Sequence, residues 1–74
     1  MPIPRMQPVE SSAIAKIGYD AEVEEAYVEF IGGGLYAYRG VSAGVFEELA
    51  NADSKGTFVN AVIKRRPFRR VRRG

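Results

Sequence analysis

The chain has 74 residues, enough for one small domain whose single thin core buries only about 60% of the surface its unfolded chain exposes. It contains no cysteine and no histidine, which excludes disulfide staples and a thiolate or imidazole zinc site, so stability must come from packing, with or without help from self-association. The net charge of +2 hides a division: seven of the eleven basic residues lie in residues 64 to 74, KRRPFRRVRRG, leaving four bases against nine acids before them.

Residues 1 to 10 carry Pro2, Pro4 and Pro8, which remove backbone donors and favour extended geometry, so a poorly ordered lead-in is expected there. In residues 11 to 19 a strand would put Ala15, Ile17 and Tyr19 on one face and Ile14 and Lys16 on the other, with Gly18 weakening its interior. A turn at residues 20 to 22 leads into EEAYVEF, where Ala26, Val28 and Phe30 alternate with Glu25, Tyr27 and Glu29. This is the clearest strand pattern in the chain. Three glycines, Gly32, Gly33 and Gly34, then permit a hairpin turn before LYAY, whose Tyr36 and Tyr38 project to one face. The three segments make an antiparallel meander.

The period changes after Val41. Ser42 is suited to cap a helix with the apolar stripe Val45, Phe46, Leu49 and Ala50, and a second helix after Asp53 or Ser54 carries Phe58, Val59, Val62 and Ile63. Two short helices against one face of a three-stranded sheet give a two-layer α+β domain with a core built from Ile17, Val28, Phe30, Leu49, Phe58 and Val62. In the basic segment Pro67 interrupts any continuation of the second helix, so an edge strand is expected to begin near Pro67, with Phe68 anchoring it. The domain then runs over residues 11 to 71, with a flexible basic end at 72 to 74.

The ordered set Ser11 and Ser12, Gly18-Tyr19-Asp20, Val28-Glu29-Phe30, the glycine turn, Tyr36 and Tyr38 running into Arg39-Gly40-Val41, Ala52 with Ser54-Lys55-Gly56, and Ile63-Lys64 with Pro67-Phe68-Arg69 resembles the KTSC domain. That family is named for its occurrence at the C-terminus of some lysyl-tRNA synthetases and also occurs as small standalone bacterial proteins. The resemblance spans residues 10 to 71 and implies a single domain with no assigned activity in an RNA context. Around residues 64 to 68 the chain is shorter and richer in arginine than the family pattern.

Clustered guanidinium groups pair bidentately with phosphate and release counterions on binding. The leading functional expectation is therefore a non-catalytic module that contacts RNA or another nucleic acid through Lys64, Arg65, Arg66, Arg69, Arg70, Arg72 and Arg73. Its alternative is a protein-interaction or structural module whose basic segment meets an acidic protein surface or the acidic body itself. Tyr36, Tyr38 and Phe68 are candidate aromatic contacts if their face is open, and core residues if the helices cover it. Tyr27, flanked by glutamates, is expected to be exposed, with Glu24, Glu25 and Glu29 on a solvated face.

Ser54, Lys55 and Gly56 could hold an anion at a helix start, although capping accounts for them without a ligand. The glycine turn is no phosphate loop, and Ser11 and Ser12 have no histidine to activate them. No catalytic set, metal site or cofactor is expected. Apolar runs are far shorter than the ~20 residues needed to cross a bilayer, and the N-terminus lacks a signal-peptide core, so a cytoplasmic chain without membrane contact is the default. A homodimer is expected if the Tyr27 edge or the terminal segment pairs across two copies.

Overall fold

The computed structural model describes residues 3 to 72. Five antiparallel strands, β1 (Met6–Pro8), β2 (Ile14–Asp20), β3 (Glu25–Phe30), β4 (Leu35–Tyr38) and β5 (Phe68–Val71), form one open sheet in sequential order. Between β4 and β5 the chain makes α1 (Ala43–Asn51) and α2 (Lys55–Phe58), the latter running into a π-helical turn, Val59–Ile63. The result is the expected α+β domain with a sheet wider than the three-stranded meander. Among the described residues no helix is long and apolar enough to cross a membrane.

The unforeseen strand is β1, which falls inside the expected disordered lead-in and pairs Met6 with Gly18 and Pro8 with Lys16. Three residues at a sheet edge tolerate a proline because the missing amide need not serve a second neighbour. Val9 extends the ladder by donating its amide to the Ala15 carbonyl at 3.1 Å. Met1 and Pro2 lie outside the described residues.

Turn chemistry ties these strands together. Ser11 Oγ accepts from the amides of Ala13 and Ile14 at 3.2 Å each, a local polar turn that leads into β2. Asp20 Oδ1 accepts from the Glu22 amide at 3.1 Å. Gly32 takes φ 71° in the β3–β4 turn, a conformation that costs glycine nothing. Between Ile14 and Lys16 the β2–β3 register slips, which overturns the simple alternation expected for β2. Ile14 and Ile17 consequently both enter the helix-side core, where strict alternation would have separated them.

That core joins Ile14, Ile17, Ala26, Val28, Tyr38 and Val41 to Leu49, Val59 and Ile63. Of the expected core residues Ile17, Val28 and Leu49 are buried, whereas Phe30, Phe58 and Val62 pack only partly against it. Ser42 caps α1, its hydroxyl accepting from the Val45 amide. Tyr19 fastens this helix to the sheet by stacking on Phe46 at 4.9 Å and donating its hydroxyl to the Val41 carbonyl at 2.7 Å.

The opposite face has a small core of its own: Tyr27, Leu35 and Ala37, with Met6 and Val71 packed against them. Tyr27 is 2% exposed, so the expectation of an exposed ring is wrong. Gly18 explains part of this burial, because a Cβ there would stand 2.5 Å from Met6 Sδ and 2.9 Å from the Arg5 carbonyl oxygen. Its missing side chain lets β1 lie close and Met6 cross toward Tyr27. Since β3 is the central strand, a dimer paired through a Tyr27 edge is also excluded; the open edges are β1 and β5.

Candidate nucleic-acid interface

Strand alternation divides the basic segment. Pairing of Tyr38 with Phe68 and of Tyr36 with Arg70 puts Phe68 and Arg70 on the helix-bearing face, while Ala37 opposite Arg69 and Leu35 opposite Val71 send those two to the other face. Arg69 Nη2 donates to Glu25 Oε1 at 3.3 Å and to the Tyr27 hydroxyl oxygen at 3.0 Å, and Tyr27 in turn donates to Glu25 Oε1. Glu25 is buried rather than solvated, 6% exposed. Its hydrogen bond to Arg69 is the main reason the Arg69 pKa is raised further above its already high range. Arg69 is thus the structural partner of a buried carboxylate, although the sequence placed it with the phosphate contacts.

The π-helical turn shapes the start of the basic segment. Lys64 donates its amide to the Val59 carbonyl five residues back at 2.8 Å, and its ammonium stands 5.4 Å from the centroid of the Phe30 ring, within cation–π range. Arg66 directs its guanidinium to the Gly40 carbonyl, and Arg39 donates its amide to the Pro67 carbonyl at 2.8 Å, so the turn into β5 is bonded to the end of β4. Lys64, Arg65, Arg70 and Arg72 are exposed. Arg73 lies outside the described residues.

Tyr36 and Tyr38 do face the helical layer, yet the layer stops short of covering both. Tyr38 is buried and Tyr36 half-buried. On either side of β4, β3 brings Phe30 and β5 brings Phe68 to within 5.8 Å of the Tyr36 ring centroid, with interplanar angles of 73° and 62°. Tyr38 also meets Phe68 at 5.8 Å. Phe30, Gly33, Gly34, Tyr36, Tyr38, Lys64 and Phe68 together line a cleft of about 460 Å³. Phe68 remains 58% exposed; it forms a wall of this cleft while joining the ring cluster.

Gly33 and Gly34 are shared with a second groove, which also contains Glu29, Arg70 and Arg72. The Arg70 guanidinium lies over Gly34, with atoms 3.0 to 3.3 Å from where a Cβ would be. A cation therefore stands at the junction of the aromatic cleft and the basic groove. Phe30 and Gly34 were missed as site residues by the sequence reading. The antiparallel turn after an alternating strand was the available signal, since it returns Tyr36 beside Phe30 on one face.

Ser54, Lys55 and Gly56 are occupied within the domain. The Ser54 hydroxyl accepts from the Thr57 amide at 3.3 Å, and Lys55 Nζ donates to the Ala52 carbonyl at 3.0 Å. Glu10 and Asp53 line the same shallow cleft, an unfavourable setting for an anion. Gly56 lets α2 approach β2's leading turn, since its Cβ would meet Ala13 Cβ at 3.3 Å. Among the described residues no group of three or more histidine, cysteine, aspartate or glutamate side chains is placed to hold a metal.

These features define a small α+β module with an open antiparallel sheet, a helical layer and a basic edge strand. The KTSC domain family profile matches residues 10 to 68, and the chain belongs to that family. A KTSC domain protein of Yersinia pestis, known from its crystal structure, superposes with a TM-score of 0.89 at 36% identity, covering 92% of this chain and 97% of that one. A protein of Tsukamurella paurometabola is 48% identical over 66 residues, spanning 89% of this chain and 97% of its own length. A lysine–tRNA ligase of Nostoc punctiforme is 38% identical over 61 residues, 82% of this chain but 11% of the ligase.

Proposed function

We propose that this KTSC domain is a non-catalytic, nucleic-acid-associated binding module whose exposed Lys64, Arg65, Arg70 and Arg72 contact phosphates. The observation that supports this reading most is the way the cations are presented. Arg70 projects from a strand hydrogen-bonded into the sheet, and Lys64 is set by the π-helical turn beside the same cleft. Side chains on an ordered backbone lose less entropy on binding than those on a mobile tail. Similarity to part of a lysine–tRNA ligase supports an RNA setting, and a cytoplasmic location accompanies it.

The alternative partner is an acidic protein. It is favoured by the open β5 edge, where an incoming strand could pair with backbone between arginines. Self-association through this edge is the homodimeric form of that alternative.

Deleting residues 64 to 74 would remove β5 and the Arg69–Glu25 contact, so substitution tests the proposal more cleanly than truncation. Single-stranded RNA, duplex RNA and DNA are titrated against the intact chain and a variant with Lys64, Arg65, Arg70 and Arg72 changed to alanine, across a salt series. The intact chain should bind with a log–log salt slope of about −0.7 per neutralised single-strand phosphate, and the variant should lose most of that slope. Absence of binding by the intact chain, or equal binding by the variant, defeats the proposal.

A further inference from the structure

Phosphate contact alone leaves the aromatic cleft without a task. Phe68 keeps more than half of its surface in solvent while its ring touches Tyr36 and Tyr38. Val23 and Ile31 are also exposed, but Phe68 differs from them in lining a cleft together with Phe30, Tyr36 and Tyr38. The cleft volume of about 460 Å³ falls within the ~300–1,000 Å³ range of small-ligand sites. Its floor is Tyr36, and its two walls come from the neighbouring strands at steep angles.

Resting on the phosphate-binding reading above, we infer that this cleft receives one unstacked nucleobase of a single strand, held against Phe68 and Tyr36. Lys64 on the Phe30 side and Arg70 at Gly34 then flank the inserted base where its adjoining phosphates pass. Charge complementarity selects this occupant over an apolar peptide: the aromatic surface offers a face to a flat ring, Lys64 lines the cleft, and the adjoining groove sets Arg70 and Arg72 against a single carboxylate, Glu29. Base–aromatic stacking is tolerant of base identity because every base has a π face. A base paired inside a duplex must first be unstacked, so the site favours single strands. Without base-edge contacts, the cleft distinguishes strandedness more strongly than sequence.

The probes are a single-stranded RNA oligomer, an abasic strand of the same length and phosphate count, the matching duplex and an acidic peptide of equal charge. Binding is measured by anisotropy together with intrinsic tyrosine emission, which is clean because the chain has four tyrosines and no tryptophan. The base-bearing single strand should bind on the order of tenfold more tightly than the abasic strand and quench tyrosine emission. Phe68→Ala, at an exposed position, should erase that difference while the circular dichroism spectrum and unfolding midpoint stay close to those of the parent chain.

Equal affinity for base-bearing and abasic strands overturns the base-pocket inference and leaves the phosphate reading standing. Failure to bind any strand overturns both. Duplex binding as tight as single-strand binding, or tyrosine quenching by the acidic peptide at the same affinity, also removes the nucleobase from the cleft. Because the abasic comparison uses the parent chain, a folding defect in Phe68→Ala cannot conceal a negative result.

Discussion

Arg69 and Arg70 are neighbours in the chain and opposites in the fold. Arg69 turns to the face where Glu25 and Tyr27 are buried and completes their hydrogen bonding. Arg70 turns to the helix-bearing face and rests over Gly34 beside the aromatic cleft. A run of like charges therefore need not have one purpose: strand geometry distributes it between two environments. On one face arginine neutralises an inward-facing acid, and on the other it remains available to an external anion.

The strongest attempt to break this comparison is Tyr27→Ala. It removes the largest member of the second core and should destabilise the domain by about 3–5 kcal/mol in urea unfolding, as a buried aromatic truncation does. A loss no greater than that of an ordinary surface change would show that this face is not a core. Arg69→Ala comes next. It leaves the buried Glu25 carboxylate without its cation, and a cost of about 1–3 kcal/mol is expected, with the salt slope for RNA essentially unchanged. If Arg69→Ala instead halves that slope while leaving stability intact, the structural role assigned to Arg69 is wrong.

Alkaline titration sharpens the contrast inside the helix-bearing face. Burial, with a smaller contribution from Tyr36, raises the Tyr38 pKa above its ordinary value of 10.0; burial first, then Glu24 and Asp20, raises that of Tyr19. A raised folded pKa means that the native state holds the proton more tightly than the unfolded chain. The resulting stability is whole below about pH 10 and is lost as pH climbs through the higher folded values. Unfolding midpoints should decline there, and Tyr38→Phe should reduce the decline. The smallest stability effect belongs to Arg70→Ala, within about 0.5 kcal/mol because the side chain is exposed. Its signature is weaker RNA binding with a salt slope reduced by about 0.7; a stability loss matching that of Arg69→Ala would erase the distinction between the faces.

The sequence made β3, β4 and the Ser42 cap legible because local alternation and capping chemistry suffice for them. It also placed the start of the terminal strand correctly, since Pro67 forbids helix continuation. It could not reveal β1: its three-residue span and Pro8 resemble a loop until Gly18 opens space for it across the sheet. The Ala15 region misled for a related reason, because a register slip redirects Ile14 without changing composition.

Candidate site residues were legible as residue types and less so as an arrangement. Period-two spacing correctly united Tyr36 with Tyr38 but could not say how far the helices would extend over them. Glu25, Tyr27 and Arg69 illustrate the opposite difficulty. Local alternation made the glutamates and Tyr27 look solvent-facing, whereas the cation that accompanies their burial arrives from the far end of the chain.

β5 joins the sheet only after the chain has passed through the whole helical layer, whereas β2, β3 and β4 are joined by short turns. Bringing distant segments together carries a larger loop-closure cost than forming a hairpin, so this strand is suited to late assembly and early release. Release would withdraw the Phe68 wall, the Arg70 cation and the Arg69 partner of Glu25 in one event, while the central ladders could persist. The lifetime of the complete surface is then governed by a local opening equilibrium, slower or faster than ligand departure according to how often this last strand unzips.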